Sequence, residues 1–306
     1  MSLAVETHDL AKTYGTLGAV QDLNLQIKEG EVYGLLGPNG AGKTTTILML
    51  LGLTESTAGW AQVFGYDCTR QPLRVKRLAG YLPEKLGFYE NLSARDNLLF
   101  TAQLNGLKYE EAARRVAEFL ALVGLSGEAG KAVGKFSRGM KQRLGIADVL
   151  VKSPRLVFLD EPTAGIDPQG AGELLDFIRG MARDQGITVV LSSHQLPHVQ
   201  AVCGRVGIMA KGRLVTEGEV AALRTPGRFR VEVRAQGPAQ LQNTLRRLKG
   251  VVGVTRQDDL FLVDCDRDCR PEIARAVMEN QGQLQEMKFE ELSLEEVYRR
   301  YLKEAA

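Results

Sequence analysis

A parallel-sheet α/β fold with an antiparallel β subdomain, a helical insertion and a small α+β domain after it is predicted by three stretches of the sequence. In the first, residues 31–36 are apolar and β-prone enough for a buried strand, and Thr45 to Leu51 is a helix-forming run rich in Ile, Leu and Met. Between them Gly37-Pro38-Asn39-Gly40-Ala41-Gly42-Lys43-Thr44 fits G-x-x-x-x-G-K-[ST] at every specified position. The second is Leu156-Val-Phe-Leu159, a continuous apolar run that delivers Asp160-Glu161 at its C-terminal end, where parallel sheets set their sites. The third follows Pro226-Gly227, where strand and helix periods come in the order βαββαβ.

Strand, glycine loop and helix in that order give the first stretch its chemistry. The glycines let successive backbone N–H groups turn inward around phosphate oxygens, and the helix points its positive dipole end at the same charge. Residues Gly37 to Thr45 are therefore candidate nucleotide ligands, with Lys43 reaching the β- and γ-phosphates and Thr44 ligating Mg²⁺. A chance match in a chain of 306 residues has odds of about 1%.

The chain is long enough for one large and one smaller domain, expected at 1–224 and 225–306. With 39 basic and 37 acidic residues it has no electrostatic footprint for nucleic acid, and the two signs also balance beyond Thr225. The N-terminal residues carry Glu6 and Asp9 and no apolar core of a secretion signal, and no apolar run approaches the ~18 residues of a membrane span. A cytoplasmic protein, held at a membrane only through a partner, is expected. The four cysteines include no C-x-x-C pair and read as reduced thiols; His194, His198 and Cys203 lack a fourth zinc ligand.

Taken in order, residues 3–36 predict an antiparallel opening in which Leu23, Leu25 and Ile27 alternate with Asp22, Asn24 and Gln26. Tyr14 lies in this stretch, where its ring either stacks on a purine or packs at a sheet edge. Trp60 to Phe64 is a further strand. From about 91 to 152 the period is helical: Ser93 opens a capping box with Asp96, a second helix runs from Tyr109 to Val123, and Ser137 caps a third with Leu144, Ala147 and Val151 on its apolar face. Asp167-Pro168 supplies an N-cap and first-turn proline for a helix to about Arg183. Ile187 to Leu191 is a strand leading through Ser192-Ser193 to His194, and Lys211-Gly212 turns a hairpin. In the last domain, a strand at Phe229 to Ala235, a helix through Leu241, Leu245 and Leu248, strands at Val251–Val254 and Leu260–Val263, a helix from Pro271 and a strand near Glu286–Phe289 precede a capping box at Ser293–Glu296 and a short terminal helix.

The ordered set of Tyr14, the glycine loop, Asp160-Glu161 and His194 resembles the ATP-binding subunit of an ABC transporter over about residues 3–223, and Tyr81-Leu-Pro-Glu84 is similar to the branch serving ABC-2-type exporters. The resemblance implies a P-loop ATPase of ABC type that binds ATP and Mg²⁺, works as a homodimer and powers a separate integral-membrane permease. It implies that Asp160 holds Mg²⁺, that Glu161 polarises the attacking water, that His194 contacts the γ-phosphate and that Asp167 ends a loop communicating between two sites. Adjacent carboxylates suit a reaction that needs charge neutralisation and an oriented nucleophile.

Two departures stand out. Where the family has Leu-Ser-Gly-Gly-Gln this chain has Phe136-Ser137-Arg138-Gly139-Met140, keeping the Ser137 hydroxyl and the Gly139 backbone at a helix N-terminus as nucleotide contacts but losing the Gln. Glu84 replaces the usual Gln and adds a carboxylate beside the metal. A soluble ABC protein acting on ribosomes or DNA is the alternative, disfavoured by a single glycine loop and the absence of a heptad array.

Overall fold

The computed structural model describes residues 2–223, 229–238, 240–291 and 298. Alternation in the first stretch produces a long antiparallel pair, β1 (Leu3–Tyr14) and β2 (Leu17–Lys28), with Leu23, Leu25 and Ile27 buried and their polar neighbours turned out. The chain then enters a central sheet at β3 (Val32–Leu36) and passes through the glycine loop into α1 (Lys43–Leu50). It returns to the first sheet as β4 (Ala58–Val63) and β5 (Tyr66–Asp67), giving the order β2-β1-β4-β5.

Next come α2 (Pro72–Leu78) and β6 (Ala79–Leu82). Periodicity predicts neither, because α2 is seven residues long with only Val75 buried and β6 has only four. The helical insertion is α3 (Ala94–Leu104), α4 (Tyr109–Leu122) and α5 (Arg138–Leu150), which pack on one another. The central sheet is completed by β7 (Leu156–Asp160), α6 (Pro168–Gln185), β8 (Thr188–Ser193), α7 (Leu196–Val202), β9 (Arg205–Ala210) and β10 (Arg213–Glu219). Its order is β10-β9-β3-β8-β7-β6, and every pairing from β9 to β6 is parallel. Every residue of β7 and β8 is buried, which is why β7 reads as an unbroken apolar run rather than an alternation. Lys211 and Gly212 both take positive φ, 49° and 79°, as a two-residue hairpin turn requires.

The chain divides between Gly218 and Glu219 into two compact units. The second contains α8 (Val220–Leu223), β11 (Phe229–Gln236), α9 (Leu241–Arg246), β12 (Val251–Gln257), β13 (Leu260–Cys265), α10 (Arg270–Glu279) and β14 (Gln283–Glu291). Its sheet is antiparallel throughout, in the order β12-β13-β11-β14. Val231, Val233, Phe261, Val263, Leu245, Ile273 and Val277 fill its own core. The capping box at Ser293 and the helix after it lie outside the described residues, except for Tyr298. Among the described residues no helix is long and apolar enough to cross a membrane.

Candidate active site

The loop after β3 is shaped by glycines whose backbone angles or close neighbours disfavour a side chain. Gly40 and Gly42 have φ of 81° and 102°, and a Cβ on Gly42 would stand 2.5 Å from the Ala19 carbonyl oxygen. A Cβ on Gly37 would meet the Met209 carbonyl at the same distance. With Gly42 at the N-cap, α1 begins at Lys43 without a side-chain cap, so its first N–H groups are left for a ligand. Lys43 is buried, and its Nζ donates to the carbonyls of Gly37 (2.7 Å) and Pro38 (3.1 Å). Burial pulls the Lys43 ammonium below its usual pKa, while Glu161, Asp160 and Glu84 pull it back up.

The end of β7 supplies the carboxylates. Asp160 accepts from the Thr44 hydroxyl through Oδ2 and from the Ser192 hydroxyl through Oδ1, each at 2.7 Å. Glu161 behaves differently. It is 7% exposed, and neither carboxylate oxygen accepts a hydrogen bond, although Lys43 Nζ lies 3.6 Å from Oε1 and His194 Nδ1 3.0 Å from Oε2. Its backbone is left-handed at φ 50°, tied by its N–H to the Ser192 carbonyl at 3.0 Å. A non-glycine residue there costs about 1–3 kcal/mol, and buried acceptors without donors add to it. Two such costs at one residue single out Glu161 as a candidate for chemistry.

The oxygen set also fits Mg²⁺. A threonine hydroxyl and an aspartate carboxylate converge within hydrogen-bond distance, with Glu84 on the same cleft wall. Among the described residues no three His, Cys, Asp or Glu form a metal-holding group. One hydroxyl and one or two carboxylates suit a cation whose remaining ligands are phosphates and water.

Tyr14, Asn39 to Thr45, Glu84, Asp160 and Glu161 line one cleft of about 740 Å³, walled on the far side by β2 and by Lys211. Tyr14 is 48% exposed there, with Lys12 Nζ 5.0 Å from its ring centroid, so part of the ring remains open to a stacking partner. His194 stands at the edge, against Glu161. Ser137, Gly139 and Asp167 line a second cleft of about 750 Å³ with Arg138, Met140 and Gly165. The Ser137 hydroxyl accepts from the Met140 N–H at 3.2 Å and Asp167 from the Gly170 N–H at 3.0 Å, so both act as caps. Sequence reasoning missed Ser192, because its pairing with Asp160 depends on β7 and β8 being neighbours in this register. It also missed the contact between Thr163 and His198, which no motif signals.

Everything in the first cleft converges on polyphosphate: a backbone cradle, a buried ammonium, metal-suited oxygens and a buried carboxylate that Lys43 and His194 face without hydrogen-bonding it. This defines a P-loop nucleoside triphosphatase. The family model described as ABC transporter matches residues 20–164. The chain is 46% identical to the bacitracin transport ATP-binding protein BcrA of Bacillus licheniformis, covering 71% of this chain and 70% of that protein. It is 35% identical to the daunorubicin/doxorubicin resistance ATP-binding protein DrrA of Streptomyces peucetius, covering 84% and 78%. A solved ATP-binding subunit of an ABC transporter superposes with a TM-score of 0.65 at 31% identity, covering 72% of this chain and 92% of that one. The chain belongs to the ABC transporter family and is an ATP-hydrolysing subunit of it.

Proposed function

We propose that two copies of this chain, on the cytoplasmic face of a membrane, power a separate ABC-2-type permease that exports an antibiotic-like or other amphipathic cargo. The names of its relatives motivate the cargo class. The observation that carries the dimer reading is the separation of two clefts on one chain, the glycine cradle in one and the Ser137-Gly139 helix end in the other.

In this reading Tyr14 stacks on the adenine, and residues Gly37 to Thr45 hold the phosphates. Thr44 and Asp160, with Glu84 beside them, would hold Mg²⁺, which neutralises phosphate charge. Glu161 takes its hydrogen bond from the attacking water, and His194, already paired with Glu161, is carried to the γ-phosphate. Ser137 and Gly139 of one copy meet the γ-phosphate bound by the other, and Asp167 sits between them and that copy's site. ATP is then interfacial glue. Hydrolysis removes the charge that the second helix end recognises, so the dimer loosens and moves its permease.

Glu161→Gln keeps the shape and deletes the base. It is expected to lower turnover by at least ~100-fold while retaining ATP binding, and light scattering should find it dimeric with Mg-ATP and monomeric with ADP. A monomer in both conditions overturns the shared-site reading.

A further inference from the structure

Two imidazoles, not one, stand against the turn that carries Glu161. His194 faces the carboxylate itself. His198, one helical turn further on in α7, places Nδ1 at 2.8 Å from the Thr163 hydroxyl. Thr163 is two residues beyond Glu161 and 3% exposed, so water does not offer its hydroxyl a substitute partner. The turn between them is tight: the Ala164 N–H donates to the Glu161 carbonyl at 3.0 Å, and the Ile166 N–H to the Thr163 carbonyl at 3.2 Å. Left-handed backbone at a glutamate persists only where its surroundings over-determine it. Among the ties that hold it are the bond from the Glu161 N–H to β8 and, on the other side of the turn, this side-chain bond to α7.

We propose that His198 is a positioning residue for ATP hydrolysis, bonding Thr163 so that the Glu161 turn and His194 are held in one fixed relation. The inference rests on the reading of Glu161 as the group that orients water. α7 begins two residues after His194, and its buried Leu196, Val199 and Val202 fix it to the fold. The seat of this helix, which carries His198, therefore constrains the segment on which both histidines lie. Burial draws the His198 imidazole toward its neutral form, with His194 acting in the same direction and Glu161 against it. A neutral ring with its proton on Nε2 accepts a hydrogen bond from the Thr163 hydroxyl at Nδ1 and adds no positive charge beside the glutamate.

The test uses the full chain with His198→Ala, His198→Asn and Thr163→Val, measuring steady-state ATPase, equilibrium ATP binding and thermal unfolding. His198→Ala is expected to lower kcat by about tenfold with KM and ATP affinity unchanged within about twofold, the signature of a group acting on chemistry rather than binding. His198→Asn presents an amide near the Nδ1 position and is expected to restore most of kcat. Thr163→Val removes only the hydroxyl and should match His198→Ala, with no further loss when the two are combined. It reads the same bond should His198→Ala fail to fold. Turnover that Glu161→Gln abolishes but His198→Ala and Thr163→Val leave intact overturns the inference and leaves the proposed function standing. A loss that follows ATP affinity or the folded fraction, or that His198→Asn does not restore, also overturns it. Turnover untouched by Glu161→Gln overturns both.

Discussion

Glu84 follows β6 by two residues and brings a third carboxylate to a cleft that must also accept phosphates. Its charge has two opposite consequences. It repels a metal-free nucleotide and attracts the cation that accompanies a bound one, and it is among the acids that sustain the Lys43 ammonium against burial. At partly screened distances such a charge is worth about 1 kcal/mol, or roughly fivefold. Glu84→Gln is therefore expected to raise the Mg²⁺ concentration for half-maximal turnover several-fold while metal-free ATP binding stays equal or tightens. Titrations of both ligands measure this, and no change in either would make Glu84 a solvated loop acid. The glycine loop and Asp160-Glu161 were legible in the sequence because their chemistry is written over consecutive residues. Ser192 was not, since its role exists only through the pairing of β8 with β7.

Among the elements, three helix starts carry the same local device. Ser93, Ser137 and Asp167 each accept from the N–H three residues on, as three-residue spacing in sequence announces. The Ser93 box is closed differently from the expected form: its hydroxyl also bonds the Asp96 carboxylate at 2.6 Å, while its backbone forms a bridge with Ala132. Caps separate structure from function by comparison. Ser93→Ala should cost about 1 kcal/mol in denaturant unfolding and leave ATP turnover unchanged, because neither Ser93 nor any residue of α3 lines either cleft. Ser137→Ala should cost a similar amount of stability and in addition lower turnover and weaken the ATP-dependent dimer. Equal turnover in both variants would reduce Ser137 to a cap. What the sequence hid at this scale is short: β6 and α7 have four and seven residues, too few for a period to stand out, yet one forms a sheet edge and the other carries His198.

At the scale of the whole chain, two cores fold within one sequence. The first unit packs Tyr33, Leu35, Phe158 and Val190 of its central sheet with Val5, Leu23 and Ile27 of the antiparallel one, and the second closes its own apolar cluster between a four-stranded sheet and two helices. The order βαββαβ was readable in advance, because each segment keeps one period and is bounded by a turn. The spatial order β12-β13-β11-β14 was not, because it depends on pairings far apart in sequence. Every residue lining the glycine-loop cleft and the Ser137 cleft precedes Gly218, where the first unit ends. The second unit has its own core, and a segment of that kind is expected to fold by itself. A chain ending at Arg224 is thus expected to remain folded, bind ATP within about threefold of the full chain and retain basal hydrolysis. Circular dichroism with nucleotide titration checks it: a folded truncate that no longer binds ATP would make the second unit part of the catalytic apparatus.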